Sequence, residues 1–180
     1  MSATATLPQP PRPATATMLT PHLVCRDAAG AIEFYKRAFG AEAMRVIRTP
    51  DGGVMHAALT IGPAMFFLAE ECPEFGSRGP QALGGTPVTL HLHVEDCDAV
   101  FDRATKAGCK VRMPLQDMFW GDRYGVLSDP YGHTWSVATN LRQVSDQEMQ
   151  QGAAACADHM KQELERRKTS GGSATACHQA

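Results

Sequence analysis

Apolar and polar residues alternate in short runs between about Leu19 and Leu141, and in two places the alternation gives way to a helical spacing of three and four. Leu19–Cys25 predicts a strand. Asp27 then stands where a helix N-cap is wanted, ahead of Ile32, Tyr35, Ala38 and Phe39, and Gly40 stands where a left-handed C-terminal cap is wanted. Ala43–Thr49, Val54–Ile61 and Met65–Glu70 predict three further strands, turned at Asp51-Gly52-Gly53 and Gly62-Pro63. The second half repeats the first at an offset of 69 residues, so that Asp27 falls on Asp96, Ile32 on Phe101, Thr20 on Thr89 and His22 on His91. Its elements are a strand over Val88–Val94, a helix over Asp96–Ala107 stopped by Gly108, and strands near Val111, over Tyr124–Ser128 and over His133–Thr139. The prediction is two strand–helix–three-strand modules, 19–71 and 87–141. Glu71–Thr86, with four glycines and two prolines, reads as a hinge between them.

A last helix is predicted over 145–168. Ser145-x-x-Glu148 forms a capping box, and Met149, Ala153, Cys156, Met160 and Leu164 form a stripe expected to dock on the domain or on a second subunit. Residues 1–18, rich in Pro, Thr and Ala, and residues 169–180 are expected to be a disordered arm and tail.

Strand parity assigns faces. Met55, Ala57, Leu59 and Ile61 should pack on the first helix with Leu19, Leu23 and Cys25. Thr20, His22, Val24 and His56 should face the other way, joined by Phe66, Leu68 and Glu70. In the second module Val88, Leu90, Leu92, Trp135 and Val137 form the helix side, and Thr89, His91, His93 and Ser136 the opposite one. A solvated sheet face would carry Lys, Glu and Arg. This one carries His, Thr and aromatics, which fits either a concave pocket or a partly buried interface between modules.

Composition narrows the functions. The formal charge is −2 over 180 residues, which argues against a nucleic-acid surface, and no apolar run is long enough to span a membrane. Six cysteines without a CxxC spacing or an export signal predict reduced thiols and a cytoplasmic protein, with Cys25 and Cys109 as small buried hydrophobes.

Val24-Cys25-Arg26-Asp27 followed by Phe34-Tyr35, and above all DMFWGDRYGVLSDPYGHTWSVAT from Asp117 to Thr139, resemble the vicinal oxygen chelate superfamily (glyoxalase I, extradiol dioxygenases, bleomycin resistance proteins), in particular its PhnB-like branch. The resemblance covers about Met18 to Gln143. It implies an α+β fold of two tandem βαβββ modules forming a cupped mixed sheet, here with an added C-terminal helix, and a homodimer. In members with metal chemistry the equivalent ligand positions would be Thr20, Leu68, Thr89 and Ser136, none of them a His or a carboxylate. Such a set is poor for a first-row divalent ion, so no metal and no cofactor are expected. The reading that follows is metal-independent binding of a small organic molecule by bleomycin-resistance-like sequestration. The cleft would be lined by Thr20, His22, His56, Phe66, Leu68, Thr89, His91, His93, Trp120, Tyr124 and Ser136. The alternative is a glyoxalase-like lyase or isomerase using His22, His91 and Glu70, with or without a displaced divalent metal.

Overall fold

The computed structural model describes residues 19–169. The expectations for the arm 1–18 and for the tail beyond residue 169 lie outside those residues. Two four-stranded sheets are present. The first holds β1 (His22–Cys25), β2 (Glu42–Arg48), β3 (Val54–Ile61) and β4 (Ala64–Glu70) in the order β1-β4-β3-β2. The second holds β5 (Thr89–His93), β6 (Lys110–Asp117), β7 (Asp122–Ser128) and β8 (Thr134–Asn140) in the matching order β5-β8-β7-β6. In each sheet the first strand runs parallel to the last and the other pairs are antiparallel. The repeat in the sequence is thus a repeat of topology.

Local chemistry sets the helices. In α1 (Ala28–Phe39) the Asp27 side chain accepts from Gly30 N, and Gly40 closes the helix in the left-handed conformation at φ 68°. In α3 (Cys97–Ala107) Asp96 caps through Ala99 N. In α4 (Asp146–Thr169) Ser145 and Glu148 exchange the two bonds of a capping box, Ser145 N to Glu148 Oε2 at 2.8 Å and Glu148 N to Ser145 Oγ at 3.3 Å.

The helix-bearing sides of the two sheets face each other and share one core. Phe39 stacks on Trp135 at 4.6 Å between ring centroids, and Tyr35 and Phe66 approach the same indole at 5.5 and 6.1 Å. Cys25, Cys97 and Cys109 are buried within this core. Burial, with Asp129 nearby, pushes both the Cys25 and Cys109 thiols up to about 12, so both are inert thiols at neutral pH.

The turn before β8 supplies the polar joint of the seam. Asp129, itself buried, accepts from Tyr35 OH and from Trp135 Nε1 at 2.8 Å each, and from the backbone N–H groups of Tyr131 and His133 at 2.9 Å each. His133 Nε2 lies 3.1 Å from the Val24 carbonyl, which can only accept, so this nitrogen carries the proton. Burial holds His133 below its ordinary value of 6.5, against the pull of Asp129. The unfolded chain therefore takes up a proton near 6.5 that the folded chain resists, and the stability from this neutral imidazole is complete above that pH and lost as pH falls below it. Urea midpoints measured between about pH 8 and about pH 5 should fall with acid, and the fall should be shallower in His133→Gln, which keeps an N–H donor but cannot titrate. Equal slopes in the two proteins would remove His133 from this role.

Three expectations change. Met55 is 59% exposed and Val54 is fully buried, the reverse of simple alternation, because β3 carries a bulge there: Ile47 pairs His56, and Arg48 pairs Val54, leaving Met55 unpaired. Leu19 precedes β1 and is 83% exposed instead of packing on α1. Residues 71–86 are no bare hinge. They form a 3-10 turn at Pro73–Phe75 and a short α2 at Pro80–Leu83, and Gln81 Nε2 donates to Pro130 O at 2.6 Å, strapping the connection to the second module.

Candidate functional site

The sheet faces turned away from the helices carry the histidines. On the first module His22 in β1 and His56 in β3 approach edge to face at 5.6 Å, and Phe67 in β4 touches both, at 6.0 and 4.8 Å. Partial desolvation, and then the neighbouring His56, hold the His22 imidazole below its ordinary value, so it is neutral at pH 7. On the second module His91 Nδ1 and the buried Ser136 Oγ are 2.8 Å apart across the β5–β8 ladder. Tyr124 from β7 stacks on the His91 ring at 6.1 Å and 21°, His93 lies 6.1 Å from it, and Trp120 closes edge-on against Tyr124 at 5.7 Å. These are two contiguous surfaces of imidazole, hydroxyl and aromatic groups.

His22 and His56 share one ring cluster, and His91 touches His93 and Ser136 on the other sheet, while simple parity fails for β4. Phe66 and Leu68 belong to the core, with Leu68 wholly buried beside Leu23 and Ala57. The β4 residue that pairs with His22 and shares its face is Phe67, which the sequence reading passed over. Thr20 lies just before β1, half-buried, and Thr89 is exposed at the start of β5. Glu70 is not a candidate acid or base at this surface. Its two carboxylate oxygens accept the backbone N–H groups of Asp27 at 2.7 Å and Ala28 at 2.8 Å, bracing the start of α1. Nearby, Arg123 bridges Asp98 and Asp117, and Asp122 accepts from Asn140.

The repeat-related His22 and His91 do not form a pair. They belong to different sheets, and each has its own ring partners. The chelating positions of metal-using members also fail a chemical test. Leu68 has no donor atom, the Ser136 hydroxyl is engaged by His91, and threonine hydroxyls are weak ligands. This donor set does not fit a divalent first-row ion. Among the described residues no group of three or more His, Cys, Asp or Glu side chains converges.

A cleft of about 550 Å³, which shares His91 with the second-module surface, opens at the seam between the modules. Leu19, Pro21, Ile61, Met65, Phe66, Leu90, Leu92 and Trp135 make it largely apolar, and Thr89 and His91 add polar groups. It runs between the start of β1 and β5, each the outer strand of its sheet. Among the described residues no helix is long and apolar enough to cross a membrane.

Comparison with known proteins agrees with this architecture. An uncharacterized protein of Mycobacterium bovis, Mb0911c, is 46% identical over 143 residues, covering 78% of this chain and 94% of that protein. The crystal structure of TioX from Micromonospora sp. ML1 superposes with a TM-score of 0.55 at 28% identity, covering 70% of this chain and all of TioX. A PhnB protein from Bacillus cereus shares the fold with a TM-score of 0.54 at 21% identity, over 68% of this chain and 99% of that one. The family model of the Glyoxalase/Bleomycin resistance protein/Dioxygenase superfamily matches residues 16–137, which take in the first module and the second as far as the middle of β8, and the chain belongs to that superfamily.

Proposed function

We propose that this protein binds a small, flat organic molecule on its outward sheet faces and holds it without chemical change, as a homodimer. The observation that carries the reading is the ring-to-ring continuity of His91, Tyr124 and Trp120 over a buried serine hydroxyl. Such a surface offers stacking area and directed hydrogen bonds, and a sheet face evolved only for water has no use for it. The donor set argues against metal-assisted isomerase or dioxygenase chemistry, and Glu70 is committed to α1.

The dimer reading rests on the seam cleft. Val88 is 60% exposed beside it, and an apolar groove flanked by two outer strands is a surface that a second copy covers well. A partner seated there would bring the first-module face of one protomer beside the second-module face of the other.

The test uses 8-anilinonaphthalene-1-sulfonate (ANS) as a planar probe, with sedimentation for the assembly. Wild type should sediment at twice the 19.4 kDa chain mass, and Val88→Asp at the chain mass. Trp120→Ala should weaken ANS binding roughly tenfold, since an aromatic contact contributes about 0.5–1.5 kcal/mol beyond its buried area. Stoichiometric zinc, nickel or iron in purified protein, lost in His91→Ala, would overturn the sequestration reading.

A further inference from the structure

Helix α4 lies outside the segment shared with the superfamily model, which ends at residue 137. Most of it is exposed, yet its first two turns touch the binding surface indirectly. Leu141 N and Arg142 N both donate to Gly121 O, at 2.9 and 3.2 Å, tying the segment that leads into α4 to the tip of the Met118–Gly121 turn. Gly121 has φ +95°, and a Cβ there would collide with the Arg142 carbonyl, so the turn and the leading segment fit only with glycine. Near the end of the second turn of α4, Gly152 sits against the Phe119 ring so closely that a Cβ would come within 2.5 Å of it. Phe119 in turn packs edge to face on Trp120 at 5.0 Å and 85°. The contacts therefore run without a gap from Gly152 through Phe119, Trp120 and Tyr124 to His91.

We infer that the first two turns of α4 are a brace for the aromatic wall, with Gly152 and Phe119 as positioning residues that fix the Trp120 indole against Tyr124 and so select flat aromatic ligands. The inference rests on the proposed binding role of the second-module face. A loop tip carrying two large aromatics would otherwise sample several rotamers. Seating Phe119 under a helix removes that freedom before a ligand arrives, and preorganisation of this kind raises affinity without adding a contact. It also gives a purpose to a glycine in a helix interior, where alanine is the better helix former.

The experiment uses the full chain labelled with 5-fluorotryptophan. Its two tryptophans, Trp120 and Trp135, give two fluorine resonances, assigned with Trp120→Phe. In Gly152→Ala the Trp120 line should shift and broaden while the Trp135 line stays, with helical circular dichroism undiminished because alanine favours the helix. ANS should bind that variant roughly three- to tenfold more weakly. Ala155→Val, on an exposed part of α4, should change neither reading. In a Phe119→Ala background the further change Gly152→Ala should have no added effect, as expected of two residues acting through one contact. A Trp120 line unmoved by Gly152→Ala overturns the brace and leaves the binding role standing. A moved line with unchanged ANS affinity overturns the brace as a determinant of binding. If Trp120→Ala also leaves ANS affinity unchanged, the binding role itself fails.

Discussion

Asp129→Ala should lower the unfolding free energy by about 3–5 kcal/mol. The carboxylate receives four donors: two backbone N–H groups on Oδ1, and the Tyr35 hydroxyl and the Trp135 indole N–H on Oδ2. Its removal leaves them buried without an acceptor, at roughly 1–3 kcal/mol each where no water can enter. The sum is not reached, because the cost of burying the carboxylate itself is recovered. Asp129→Asn is the sharper test. An amide has one oxygen, so its NH₂ group must point at one of the two donor pairs, and the loss should approach that of alanine, about 2–4 kcal/mol. Guanidinium denaturation of both variants and of Tyr35→Phe measures this. An asparagine variant within about 0.5 kcal/mol of wild type would show that Asp129 is not the four-donor acceptor described. Tyr35 belongs to the first module and Trp135 to the second, so the same carboxylate fixes how the two outward faces are set relative to each other.

Much of this architecture was legible along the chain because its determinants are local. Asp27, Gly40, Asp96 and the Ser145–Glu148 box act within a few residues, and the internal repeat needed only an alignment of the sequence with itself. What was hidden is what depends on distant partners. β4 is apolar on both faces, so alternation could not say whether Phe66 and Leu68 or Met65 and Phe67 belong to the core. The pairing of Leu68 with Ala57 and Leu23 decides it. The bulge at Met55 shifts a register that counting by twos assumes constant. Glu70 looked like a candidate base because nothing local places the end of β4 beside the first amides of α1. His22 and His91 are equivalent by the repeat, but nothing local says which surface each one reaches. In the chain the helix-bearing sides face inward and the two histidines lie on separate surfaces. The Asp129–Gly132 turn closes locally, but a partner of the Asp129 side chain lies 94 residues away at Tyr35.

Leu68→Ala should cost about 2–5 kcal/mol, and Phe67→Ala less than about 1.5 kcal/mol, although phenylalanine is the larger side chain. Leu68 is wholly buried between β1 and β3, so truncation leaves a cavity that the neighbouring strands cannot close. Phe67 is partly open to solvent and contacts mainly the rings of His22 and His56. For ligand binding the order should reverse. Phe67→Ala removes the aromatic floor under the His22–His56 pair and should weaken ANS binding. Leu68→Ala should leave binding near wild type at temperatures where the variant is folded. Urea midpoints together with ANS titrations decide the matter. A Phe67→Ala variant destabilised more than Leu68→Ala would exchange the two faces of β4. That exchange would put Leu68 back beside His22, return β4's contribution at the chelating position to the outward surface, and remove the ring cluster on which the first-module half of the site is built.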